Sequence, residues 1–102
     1  MQLDFLKQRY TQYRVEISTD GERERADITN GQRGDRIRVW YDSADREKYM
    51  FCYAYQHIHT DSEEVLLGYI NDYMSGRKAS IEFFAGDRRC FGGTLTRWYW
   101  II

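Results

Sequence analysis

Three segments in the first 42 residues alternate polar and apolar side chains with only turn-forming residues between them, and this pattern constrains the fold more tightly than any other feature of the chain. Tyr13, Val15 and Ile17 alternate with Arg14, Glu16 and Ser18 ahead of the turn Thr19-Asp20-Gly21. Arg23 to Thr29 follows with Ala26 and Ile28 on one face; its many charges predict an edge position, where charge discourages unwanted pairing. Asn30-Gly31 is the preferred hairpin dipeptide, and Gly34 permits a longer loop. Residues 36–42 place Ile37, Val39 and Tyr41 on one face and Arg36, Arg38 and Trp40 on the other, before Asp42-Ser43-Ala44-Asp45 turns the chain again. Strands joined this way form hairpins and therefore pair antiparallel.

The run from Lys48 to His59 reads as the longest strand. Tyr49, Phe51, Tyr53 and Tyr55 share one face and Met50, Cys52, Ala54 and Ile58 the other, so it is expected in the sheet centre, covered on both sides. Two helices flank these strands. Leu3, Leu6 and Tyr10 predict a short one over residues 2–11, too short to persist without tertiary packing. Thr60 with Glu63 resembles a capping box, Leu66, Tyr69, Ile70 and Tyr73 recur at helical spacing, and Gly76 is placed to stop the helix, predicting one over residues 61–75. Ala79, Ile81 and Phe83 then alternate, Ala85-Gly86-Asp87 turns, and Arg89 to Ile102 returns with a bulge or break expected at Gly92-Gly93. The expected fold is a single α+β domain over residues 1–102, in the order α-β-β-β-β-α-β-β. Its mainly antiparallel sheet has about six strands and packs on one long helix.

Composition excludes several classes of protein. No apolar run approaches the roughly 20 residues needed to span a bilayer, and the start lacks the basic and apolar regions of a signal peptide, so the expected compartment is the cytoplasm and no membrane partner is expected. Cys52 and Cys90 are the only cysteines, which does not suit a disulfide scaffold. The chain is near neutral, with a formal charge of −1, yet residues 1–75 are acidic in balance and residues 76–102 basic.

Candidate catalytic groups lack companions. His57 and His59 share a strand face as zinc ligands can, but Cys52 falls on the opposite face by parity, leaving no third ligand. Neither cysteine has a visible base. Glu63-Glu64 and the pair Asp42 and Asp45 already serve a helix start and a turn, and Arg33-Gly34-Asp35, although it matches an integrin-binding tripeptide, reads as an ordinary turn. No cofactor, metal or catalytic residue is expected.

What the sequence does display is arginine beside aromatic rings. Arginine outnumbers lysine twelve to three and aromatics reach 17%, an excess suited to surfaces that bind. Arg36, Arg38 and Trp40 form one predicted contact patch; Arg88, Arg89, Arg97 and Trp98, near Arg77 and Lys78, form a second. Such patches suit a protein partner, with the acidic stretch from Asp61 to Asp72 meeting basic surfaces and the C-terminal hairpin acidic ones. In bulk character the chain is similar to small single-domain inhibitors and accessory proteins of phages and mobile elements, anti-CRISPR proteins among them, a likeness of composition that transfers no site. The expectation is a non-enzymatic protein-binding module that occupies a functional surface of a larger target, such as a nucleic-acid-processing complex. The alternative is a single-stranded nucleic-acid binder that stacks bases on its rings, which the near-neutral charge makes the less favoured reading. A terminal Trp98-Tyr99-Trp100-Ile101-Ile102 leaves a homodimer open as well.

Overall fold

The computed structural model describes residues 1–32, 34–54 and 56–76 in full, together with the backbone of Lys78–Ala85 and Arg88–Thr96. It is an α+β structure built on an antiparallel five-stranded meander. The chain runs α1 (Phe5–Arg9), β1 (Arg14–Asp20), β2 (Arg23–Thr29), β3 (Arg36–Tyr41), β4 (Tyr49–Tyr53), β5 (Gln56–Thr60), α2 (Glu63–Met74), β6 (Lys78–Ala85) and β7 (Arg88–Thr96). Strands β1 to β5 pair in sequence order, whereas β6 and β7 form a separate two-stranded sheet.

Alternation decides which side of the meander is covered. Ala26, Ile28, Ile37, Val39 and Phe51 are fully buried on one face, beneath Leu66, Ile70, Tyr73 and Met74 of α2. Leu3, Leu6 and Tyr10 complete that core from the N-terminal side. Five helical residues cannot hold themselves, and tertiary bonds fix α1 instead. The Leu3 N–H donates to the Glu24 carboxylate at 3.0 Å, and the Tyr10 hydroxyl donates to Asn71 Oδ1 of α2 at 2.8 Å. From β4, Phe51 meets Tyr69 and Tyr73 at centroid distances of 5.7 and 5.4 Å, and the Tyr73 hydroxyl donates to Gln56 of β5.

Several expectations need correction. The segment from Lys48 to His59 is two antiparallel strands, because Ala54 adopts the left-handed conformation (φ 52°) and reverses the chain so that Tyr53 faces Gln56. The reversal also flips side-chain parity. Ile58 therefore lies opposite Phe51 on the core side, and the segment is neither central nor covered on both faces. The charged strand β2 lies inside the sheet, not at its edge; Arg23, Arg25 and Asp27 are tolerated because they project from the uncovered face, Glu24 on the other side accepts from the Leu3 N–H, and the edges are β1 and β5. At the helix start Ser62, not Thr60, is the N-cap, accepting from the Val65 N–H at 3.2 Å, while Thr60 Oγ1 accepts from the Ser62 N–H. Gly76 does terminate α2 at positive φ. In the last hairpin Gly92 and Gly93 pair regularly with Glu82 and Ile81, and the irregularity falls between Phe83 and Phe84, where the register passes over Cys90. A bulge follows the surplus residue, not the glycine.

The turn at Ala54 yields a direct test. An L-residue with a Cβ costs about 1 kcal/mol or more in this conformation, and glycine does not. Ala54→Gly is expected to stabilise the chain by about 0.5–1 kcal/mol in urea unfolding, whereas Ala54→Val should destabilise it.

Candidate protein-binding face

The face of the meander opposite α2 carries no helix among the described residues, and none of its described residues is buried. Register assembles it. Across the strands, Glu16 lies opposite Asp27, Asp27 opposite Arg38, Arg38 opposite Cys52 and Cys52 opposite His57. A parallel row joins Ser18, Arg25, Trp40, Met50 and His59. Arg14, Thr29 and Arg36 form the row nearest one end, and Asp20 and Arg23 lie at the other.

Charge on this face is organised around one carboxylate. The Arg38 Nε–H donates to Asp27 Oδ1 at 2.8 Å, and Arg25 Nε approaches Oδ2 at 3.3 Å without the alignment of a hydrogen bond. The hydrogen bond and charge of Asp27 raise the Arg38 pKa further above its ordinary value, so the guanidinium remains a cation at any accessible pH. Two guanidinium groups thus share one acid, which leaves a cation in surplus. Arg36 adds another, exposed and without an ion-pair partner among the described residues. Arg14 pairs with Glu16, and Arg23 with Asp20.

Trp40 lies half-buried in the middle of this field. The Arg23 guanidinium sits 4.4 Å from the indole centroid and that of Arg25 at 5.7 Å, cation–π contacts that hold the ring against the sheet. Three shallow depressions lie on this face among the described residues, two of them lined by Trp40. The largest, about 380 Å³, lies between Arg36, Arg38, Trp40, Met50, Cys52 and His57. A second of about 310 Å³ shares Arg36 and Arg38 and extends to Arg14 and Asp27; a third of about 130 Å³ lies where Trp40 meets Asp42, Asp45 and Glu47 of the β3–β4 loop. The face is therefore basic at its Arg14 and Arg36 end, whereas at the rim beside Trp40 the acids Asp42, Asp45 and Glu47 stand among Arg23 and Lys48.

Of the predicted contact residues, Arg36, Arg38 and Trp40 do share an open face. Arg88 and Arg89 begin β7, in the separate sheet, and their side chains lie outside the described residues, as do Arg97 and Trp98 entirely. Residues 77 and 99–102, also singled out from the sequence, fall outside as well. Sequence reasoning missed Arg14, Arg25, Asp27, Met50 and Cys52 as members of the face. Alternation within each strand was legible, but only the register joins the rows.

The remaining candidates acquire structural roles. Asp42 and Asp45 accept from the Ala44 and Glu47 N–H groups at 3.0 and 3.3 Å and shape the loop, and the Asp35 carboxylate accepts from the Tyr53 hydroxyl at 3.1 Å. His57 and Cys52 share a face, contrary to the parity of a continuous strand, because of the turn at Ala54. Even so, no group of three or more His, Cys, Asp or Glu side chains able to hold a metal ion occurs among the described residues. Burial pushes the Cys52 thiol pKa up, and the nearby Arg38 charge opposes this more weakly. In a Cys90→Ser background the thiol is expected to react with a disulfide reagent more slowly than free cysteine at pH 8, its rate rising through a midpoint above the ordinary thiol range. A midpoint below that range would contradict the assigned environment.

No protein-family model, no curated protein and no solved structure matches this chain.

Proposed function

We propose that the chain is a non-enzymatic protein-binding module whose open sheet face, centred on Arg36, Arg38 and Trp40, docks on an acidic surface of a larger target and occupies it. The observation that carries this reading is the coincidence of surplus guanidinium groups, a half-buried indole and shallow depressions on one uncovered sheet face. Arginine and tryptophan are the residues that dominate protein interfaces, and Met50 and Cys52 supply the apolar surface that such anchors need around them. The mixed-charge rim beside Trp40, where Asp42, Asp45 and Glu47 stand among Arg23 and Lys48, differs from the arginine-rich end, which favours one orientation of the partner. An inhibitor of the phage or mobile-element type would use its surface in this manner.

Single-strand nucleic-acid binding is less well supported. Trp40 is the one large aromatic ring on this face among the described residues, beside the imidazoles of His57 and His59, and the Arg23 guanidinium occupies a stacking position against it. Glu16, Asp20 and Asp27 interrupt any track for phosphates. The test is capture of partners by the immobilised chain from its native host, before and after nuclease treatment. Capture that survives nuclease and is lost with the charge reversal treated in the Discussion supports the proposal. Quenching of Trp fluorescence by an oligonucleotide, with affinity falling steeply as salt rises, would replace it with the nucleic-acid reading.

A further inference from the structure

Strand β1 is an edge with seven residues, an unbroken register against β2 and no proline. Natural edges of this length are usually bulged, broken or covered. Hydrogen-bond phase shows which of its backbone groups are open. The Asn30 N–H donates to the Asp35 carbonyl at 2.9 Å, so residue 30 bonds toward β3; alternation then turns the backbone of Arg23, Arg25, Asp27 and Thr29 toward β1. Their partners Arg14, Glu16, Ser18 and Asp20 bond back to β2, and the N–H and C=O groups of Val15, Ile17 and Thr19 point outward. No described group hydrogen-bonds to them. Val15 and Ile17 face the core side yet are only half-buried, because the sheet ends beside them.

We infer that β1 is the docking edge for β1 of a second copy of this chain, paired antiparallel about a two-fold axis through Ile17. This inference stands apart from the function proposed above. In that register Val15 faces Thr19 of the other copy and Ile17 faces its counterpart, so β-branched side chains meet on the core side and cover one another. On the open side Arg14 faces Asp20 of the other copy. Because Arg14 already pairs with Glu16 and Asp20 with Arg23, each new contact links two existing ion pairs with no like charges opposed. The neighbouring registers are disfavoured. Moving the axis to residue 16 sets Glu16 against Glu16, moving it to residue 18 sets Glu16 against Asp20, and a slip by half that amount turns the side chains to opposite faces. The axis runs perpendicular to the sheet, so two five-stranded sheets become one, with all helices on one side and both open faces contiguous on the other.

Sedimentation of the full chain, with far-UV circular dichroism to verify folding, tests the register by charge exchange. The native chain is expected to reach a closed dimer and go no further. Arg14→Asp and Asp20→Arg should each weaken the dimer by about tenfold or more, since each change opposes like charges twice across the axis. The double variant R14D/D20R restores the attraction and should return the dimer. Amide exchange supplies a readout that does not depend on the variants: protection of Val15, Ile17 and Thr19 should rise with protein concentration in the native chain. A native chain that stays monomeric at about 1 mM, a double variant no tighter than the single ones, or open-ended polymers in place of a dimer would overturn the inference.

Discussion

Phe51→Ala is expected to remove a large part of the stability of this chain. Phe51 is fully buried, and it contacts the rings of Tyr69 and Tyr73 while lying opposite Val39 on one neighbouring strand and Ile58 on the other. Its truncation therefore opens a cavity where the sheet meets α2, a place that cannot collapse without breaking strand register. Such substitutions cost about 3–5 kcal/mol, against a total stability of about 5–15 kcal/mol for a domain of this size. In urea the unfolding midpoint should fall by about a third to a half for a native stability of about 10 kcal/mol, and a native stability near the lower end of the range would leave the variant unfolded without denaturant. A loss below about 1 kcal/mol would mean that the core does not pivot on this ring.

Charge reversal at Arg36 and Arg38 should have its large effect on binding instead. The strands of the open face carry Arg14, Arg23, Arg25, Arg36 and Arg38 against Glu16, Asp20 and Asp27, a surplus of two positive charges; the double variant R36E/R38E turns this into a surplus of two negative ones. A partner selected for acidic groups would then be repelled at the centre of the interface, and capture should weaken by at least about a hundredfold, as hot-spot losses of this kind imply. Folding should survive. Arg36 has no ion pair to lose among the described residues, and Arg38 is 43% exposed, so setting a second carboxylate beside Asp27 should cost about 1 kcal/mol or less. Because the single variant R36E leaves the Arg38–Asp27 pair intact, it should retain full stability and still weaken capture. Unchanged capture by a folded R36E/R38E would remove this face from the proposed function.

The distribution of polar groups explains why so much of the fold was legible. Strands β1, β2 and β3 and helix α2 were readable because local pattern and tertiary burial agree in them: Ile37 and Val39 are buried and Arg36, Arg38 and Trp40 are not, as alternation requires. The reading failed where one residue outweighed a pattern. Lys48 to His59 reads as one strand apolar on both faces, yet a turn at Ala54, which has a positive φ, divides it, and nothing about alanine advertises that conformation. Similarly, charge in β2 suggested an edge only because the sequence does not state that one sheet face is left uncovered.

What the sequence determined by itself was the α+β class, the antiparallel sense of the hairpins and the split of β3 into an apolar face and an arginine–tryptophan face, since each follows from the period of side chains along a single segment. Tertiary structure alone decided which rows stand side by side. The gathering of Asp27 between Arg25 and Arg38, and of Cys52 opposite His57, depends on the register between strands. Register is a relation between segments, set by turn geometry and shared burial, and no single segment contains it.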